Sequence, residues 1–166
     1  MAILDILVYP DPRLAQISSP VESFDDELLS FIFNLEETMR AGPPSVGIAA
    51  PQAGHFERII IVDVSSKPKT PNHGKLTLIN PKILYKQGSM IGREGCLSVP
   101  EYTGNVSRAE KITLQALNSE GRRLNYAMEG FEARAVQHEI DHLDGLLFLD
   151  RLVSRRSSLF LRNIYK

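Results

Sequence analysis

Leu28, Ile32, Leu35 and Met39 recur at i, i+4, i+7 and i+11. That spacing predicts an amphipathic helix ending near Gly42, ahead of Pro43-Pro44. Ser23 to Asp26, just upstream, resembles a capping box with aspartate in place of glutamate. Arg58 to Val64 is a β-branched run and predicts a strand, and Leu76 to Tyr85 has strand pattern interrupted by Asn80-Pro81. Ile112, Leu114 and Ala116 alternate with Thr113, Gln115 and Leu117; Asn118-Ser119-Glu120-Gly121 makes a turn, and Arg122 to Met128 returns as a hairpin. A second helix opens at Gly130 and stops at Gly145, its C′ residue. Phe131, Ala135, His138 and His142 share one face of it, and Val136, Ile140 and Leu143 form another, so it should be buried among strands.

The remaining stretches are less periodic. Residues 1–22 carry Pro10, Pro12 and Pro20 and read as an extended arm with a short turn. Ser45 to Gly54 is small and nearly uncharged, which lets a backbone approach a ligand closely; Gln52 is its one amide donor. Ser65 to Gly74 reads as an exposed loop, with His55 and His73 at the surface. Gly88 to Gly95 reads as a glycine-rich turn leading into Cys96-Leu97-Ser98-Val99-Pro100. The tail, Leu146 to Lys166, predicts a short strand followed by a helix packed on the outside.

The buried helix carries the chemistry. Gln137 to Gly145 contains His138-Glu139-x-x-His142, which puts two imidazoles about one helical turn apart on one face, with a carboxylate beside them. Such a pair grips one metal ion, and Glu139 can reach water next to it. A catalytic site takes three protein ligands. No glutamate follows Glu139 and no histidine follows His142, so the downstream ligands of many His-Glu-x-x-His peptidases are missing. Asp150 and the single thiol, Cys96, remain as candidates for the third ligand. A Cys-His-His set suits a borderline or soft divalent metal.

Composition narrows the class. The chain has 166 residues, 43% of them hydrophobic and 23% charged, with net charge −1. This is a globular composition without the basic field that nucleic acid or an anionic membrane would call for. One cysteine excludes an intrachain disulfide. With neither a secretory signal pattern nor a long apolar run, we expect a cytoplasmic enzyme that engages neither nucleic acid nor membrane.

Three stretches in register resemble peptide deformylase. Ser45 to Gln52 is similar to the family's Gly-x-Gly-x-Ala-Ala-x-Gln motif, while Glu94 to Ser98 and Gln137 to Gly145 match its Glu-Gly-Cys-Leu-Ser and Gln-His-Glu-x-Asp-His-Leu-x-Gly motifs. The opening Tyr9-Pro10-Asp11-Pro12-Arg13-Leu14 also looks like the family's N-terminal arm. The resemblance implies an α+β fold with antiparallel β-strands around a central metal-binding helix, flanked by N-terminal and C-terminal helices, in a single catalytic domain over residues 1–166. It implies removal of the N-formyl group from nascent N-formylmethionyl peptides, at the ribosome in a bacterial cytoplasm. Cys96, His138 and His142 would hold one divalent ion, Fe2+ in the cell, with Zn2+ or Ni2+ able to substitute. Glu139 would act as general acid and base, with the Gln52 amide and the Leu97 N–H stabilising the oxyanion. Val46 and Gly47 would line the formyl position, Phe131 and Ala135 the methionine pocket, and Glu94 would pair with Arg108 to brace the cysteine loop.

Two positions depart from the family pattern. Ser45 replaces the motif's first glycine, and Thr103 stands where bacterial members often carry an arginine that contacts the peptide backbone. The second change leads us to expect a raised KM with kcat less affected. Two rival functions remain at this point: a metallopeptidase cutting internal peptide bonds, and a non-catalytic module with a structural zinc closed by four ligands.

Overall fold

The structure, a computed structural model, describes residues 2–67 and 69–162. An N-terminal arm with one 3-10 turn (Pro12–Ala15) leads to α1 (Asp26–Ala41). The N-cap of α1 is Asp25, whose carboxylate accepts from the Leu28 N–H at 3.0 Å. The cap therefore lies two residues after the expected Ser23. Aspartate accepts as well as serine, and Asp26 and Glu27 then fall in the first turn, where the helix dipole favours them.

After α1 come β1 (Gly47–Ala49), a 3-10 turn (Ala50–Ala53), β2 (Ile59–Val62), β3 (Leu76–Gln87), β4 (Met90–Cys96), β5 (Val99–Arg108), β6 (Lys111–Leu117) and β7 (Arg123–Glu129). Then follow α2 (Gly130–Leu143), a 3-10 turn (Phe148–Arg151) and β8 (Leu159–Leu161). The strands form a five-stranded sheet, β1-β2-β3-β6-β7, and a three-stranded sheet, β4-β5-β8, with every pairing antiparallel. The α+β class holds. In the tail, expected as a short strand followed by a helix over Leu146 to Lys166, the described residues hold the 3-10 turn first and β8 second; residues 163–166 lie outside them.

Strand alternation explains why β2 is apolar at every position. Ile60 and Val62 join Val136, Ile140 and Leu143 of α2, whereas Ile59 and Ile61 join Leu28, Ile32, Leu35 and Met39 of α1. Side chains two apart point to one face, so this end of the large sheet is buried on both sides. The far flank of α2 meets a third cluster, in which Cys96, Val99 and Val106 of the small sheet pack with Leu147 and Phe148. Gly145, at φ +78, closes the helix in the left-handed conformation its position requires.

β4 and β5 correct the sequence-based expectation. Gly88 to Gly95 is not a glycine-rich turn; it enters a hairpin that pairs Met90 with Arg108 and continues to Glu94 with Gly104. The pattern is hard to read because its inward positions hold Glu94 and Arg108, charged residues that pair with each other when buried.

Asn80, at φ +50, sits where the β3–β6 register shifts between Ile79 and Lys82. Its amide accepts from the Val21 N–H at 2.9 Å and donates to the Val21 carbonyl at 3.0 Å, tying the arm to β3. Asn80→Ala removes both bonds and places an alanine in the left-handed region. We expect it to cost about 1–3 kcal/mol, measured as a shift in the urea midpoint at unchanged m-value.

Candidate metal centre

α2 buries seven polar side chains among its fourteen residues: Glu132, Arg134, Gln137, His138, Glu139, Asp141 and His142. Buried polar groups need partners, and five of the seven are occupied by other elements. Glu132 bonds His73, Gln137 bonds the backbone of Ala109, and Asp141 bonds Arg108 and Arg151. Arg134 and His138 both reach Glu94. The exceptions are His142 Nδ1 and Glu139 Oε1, which are buried without a hydrogen-bond partner among the described residues.

Glu94 and Cys96 project inward from β4, two residues apart, while Gly95 between them is exposed. Arg108 binds Glu94 through Nε and Nη2, both at 2.9 Å, and donates from Nη1 to Asp141 at 2.6 Å. Arg134 Nη1 adds a third contact to Glu94 at 2.6 Å. The Glu94–Arg108 pair expected from the resemblance is therefore present, but as part of a buried cluster rather than a surface contact. Burial alone would raise the Glu94 carboxyl; hydrogen bonds from Arg108 and His138 hold it well below the usual carboxylate range.

Glu94 also orients a ring. It bonds His138 Nδ1 at 2.9 Å, which leaves Nε2 to face the cysteine. Cys96 Sγ lies 3.3 Å from His142 Nε2, and one donor atom from each of Cys96, His138 and His142 lies within 4.8 Å of the others. Burial lowers both imidazoles. In His138 the bonds to Cys96 and Glu94 outweigh that effect and raise it well above the ordinary histidine value, whereas His142, next to the charged His138, falls well below it. A divalent ion entering between them would displace the His138 proton. Burial also raises the Glu139 carboxyl to about 7, against the pull of His138.

Gln52 is 1% exposed. Its Oε1 accepts from the Ala49 N–H at 2.9 Å, which fixes the amide so that Nε2 points to Ser98 Oγ at 3.1 Å and Cys96 Sγ at 3.5 Å. A cavity of about 710 Å3 opens over these groups. Val46, Gly47, Gln52, Leu97, Phe131 and Ala135 all line it, together with Cys96, His138 and Glu139. Gly47 is there for space: a Cβ on it would sit 2.7 Å from Glu139 Oε2. Ser45 and Thr103 also line the cavity.

These residues fit a metal ion. The donors are one thiol and two imidazoles; no other Cys, His, Asp or Glu joins the group among the described residues; and a carboxylate oxygen without a partner lies beside it. Three protein ligands are the number of a catalytic site, not of a closed structural one. Asp150 is occupied elsewhere, accepting from the Leu147 N–H at 2.9 Å. Such a fold and site define a metal-dependent hydrolase.

Comparison with known proteins makes the class specific. The sequence model of the polypeptide deformylase family matches residues 3–158. A peptide deformylase of Alkalilimnicola ehrlichii is 44% identical over 167 aligned positions, covering 100% of this chain and 91% of the relative. The crystal structure of a peptide deformylase from Legionella pneumophila superposes with a TM-score of 0.82 at 40% identity, covering 93% of this chain and 88% of that one. The Ehrlichia chaffeensis peptide deformylase, solved in complex with actinonin, gives a TM-score of 0.87 at 36% identity over 94% and 92% of the two chains. The chain belongs to the polypeptide deformylase family, metal-dependent hydrolases that remove the formyl group from nascent polypeptides.

Sequence reasoning did not single out Arg134, Asp141 or Ser98, which hold Glu94, Arg108 and Gln52 in place. The available signal was a helix predicted to be buried that nevertheless carries charge on several faces. Arg108→Met strips Glu94 and Asp141 of their shared cation. We expect a loss of about 3–5 kcal/mol in urea unfolding, because the two carboxylates stay buried.

Proposed function

We propose that Cys96, His138 and His142 hold one divalent ion, Fe2+ in the cell, with Zn2+ or Ni2+ able to replace it. One observation carries this reading: three donor atoms converge within 4.8 Å beside a buried glutamate that has an unpartnered oxygen. The soft thiolate with two imidazoles suits a borderline divalent metal. When bound, the ion supplies Lewis-acid polarisation of the formyl oxygen and makes nearby water more acidic.

The chain's own residues do the rest. Glu139 takes a proton from the attacking water as its oxygen bonds to the formyl carbon. The carbonyl π electrons move onto oxygen, and the Gln52 amide, aimed by Ala49, donates to that oxyanion together with the Leu97 N–H. Glu139 then gives its proton to the amine nitrogen as the C–N bond breaks, releasing formate and a free methionine amine. Val46 and Gly47 bound the formyl position, and a crowded wall there admits a hydrogen on the carbonyl carbon and rejects a methyl. Phe131 and Ala135 line the pocket for the methionine side chain.

We further propose that residues 1–166 work as a single catalytic domain on chains leaving the ribosome in a bacterial cytoplasm. Support comes from bacterial relatives matched over nearly their whole length and from an Acinetobacter baumannii peptide deformylase solved with Met-Ala-Ser bound. Among the described residues no helix is long and apolar enough to cross a membrane.

Formate release from formyl-Met-Ala-Ser by enzyme loaded anaerobically with Fe2+ tests the assignments. Glu139→Gln should retain one metal per chain by elemental analysis and lose about 10²–10⁴ in kcat. Gln52→Ala should lose about 10²–10³ in kcat with its metal in place. Wild-type turnover by the Glu139→Gln enzyme would remove that residue from the reaction.

A further inference from the structure

Thr103 lies between two guanidinium groups that line the same cavity as the metal ligands. Arg93, on β4, donates from Nη1 to Thr103 Oγ1 at 3.3 Å and from Nε to Asn105 Oδ1 at 3.1 Å, with its guanidinium 3.8 Å from the centroid of the Phe160 ring. Arg162 follows β8 and is anchored by its own N–H, which donates to the Glu101 carbonyl at 2.8 Å. Among the described residues its Nη2 makes only long contacts, 3.5 Å to the Val99 carbonyl and 3.3 Å to the Tyr102 carbonyl. Its Nε is buried with no hydrogen-bond partner among the described residues. The Arg162 guanidinium lies over Gly95, next to Cys96: a Cβ on Gly95 would meet Nη2 at 2.6 Å and the Thr103 methyl at 3.4 Å.

Neither arginine forms an ion pair among the described residues, although the chain as a whole has net charge −1. The two carboxylates lining the cavity do not compensate them. Glu94 is taken by Arg108, Arg134 and His138, and Glu139 lies buried beside the imidazoles. Of the other two cations in the lining, Arg134 is paired with Glu94, whereas Lys67 has no carboxylate partner among the described residues. Two planar forks with donors to spare, held by stacking and by backbone, are suited to a carboxylate. A neutral peptide carbonyl would use only part of that capacity.

We infer that Arg93 and Arg162 select formylated peptides that carry a carboxylate side chain in the residues just after the methionine. This rests on the proposed placement of the peptide in the cavity. It also changes the expectation drawn from Thr103: an arginine is absent at that position, but cations reach the same place from the strands on either side. Thr103, being small, leaves them room.

Paired peptides ending in an amide isolate the side-chain charge: formyl-Met-Asp-Ala against formyl-Met-Asn-Ala, and formyl-Met-Ala-Asp against formyl-Met-Ala-Asn. With metal-loaded enzyme at low salt, the aspartate member of at least one pair should show kcat/KM about two- to fivefold higher, carried by KM. The ratio should fall towards one at about 1 M salt, where screening acts within roughly 3 Å. It should shrink in both Arg93→Gln and Arg162→Gln and invert in Arg162→Glu. If the arginines served only to dock β8, the variants would lose stability without moving the ratio, which would overturn the inference. Equal or better use of asparagine in both pairs by the wild type would overturn it too, leaving the deformylase reading intact. Absence of formate release from all four peptides would overturn both.

Discussion

The buried carboxylate of Glu94 is the constraint on which the site depends. It takes Arg108 in a two-pronged pair, Arg134 from α2 and His138 Nδ1. A charge so far from water is tolerable only when nearly all its acceptor sites are filled. Filling them locks the small sheet to the helix and turns one imidazole so that its other nitrogen faces the thiol. The ion-pair cluster and the metal centre are therefore one assembly, in which outer contacts orient the inner donors.

The fold delivers its reacting groups to a seam between layers. α2 uses one flank to cover the large sheet and the other to meet β4, β5 and the turn at Phe148–Arg151. β1, at the edge of the large sheet, runs past Glu139 so closely that Gly47 has no room for a side chain. Glu139 is thus held between a strand without a side chain at that point and a helix whose other polar groups are nearly all engaged. Of the two α2 atoms left unpartnered among the described residues, Glu139 Oε1 belongs to the carboxylate that the proposed chemistry uses, and His142 Nδ1 is the ring nitrogen opposite the one that meets the thiol. Buried polar groups elsewhere on α2 serve positioning.

Elements with a simple period were legible from sequence. The stripe of α1, the alternation of β6 and β7, and the His-Glu-x-x-His face of α2 follow from spacing alone. The third donor did not: residue chemistry left both Asp150 and Cys96 open, and family resemblance favoured the thiol that the geometry brings to the imidazoles. β4 and β5 stayed hidden because their inward positions hold Glu94 and Arg108, and a further partner of Glu94, Arg134, arrives from forty residues further along the chain. No local pattern reveals a charge that will be neutralised at that range. The two arginines beside Thr103 were equally illegible, since one reaches the site only through the β5–β8 pairing of Thr103 with Phe160.

The hairpin of β4 and β5 also limits how the gene can change length. Glu94 and Cys96 share the inward face because strand side chains alternate, with Gly95 turned outward. One codon gained or lost within that pairing would swap the faces, presenting glycine to the helix and sending both the brace and the thiol into solvent. Ser65 to Gly74 is under no such rule. Insertions in descendants of this sequence should collect there, while the stretch from Met90 to Cys96 keeps a fixed count even where its residues drift.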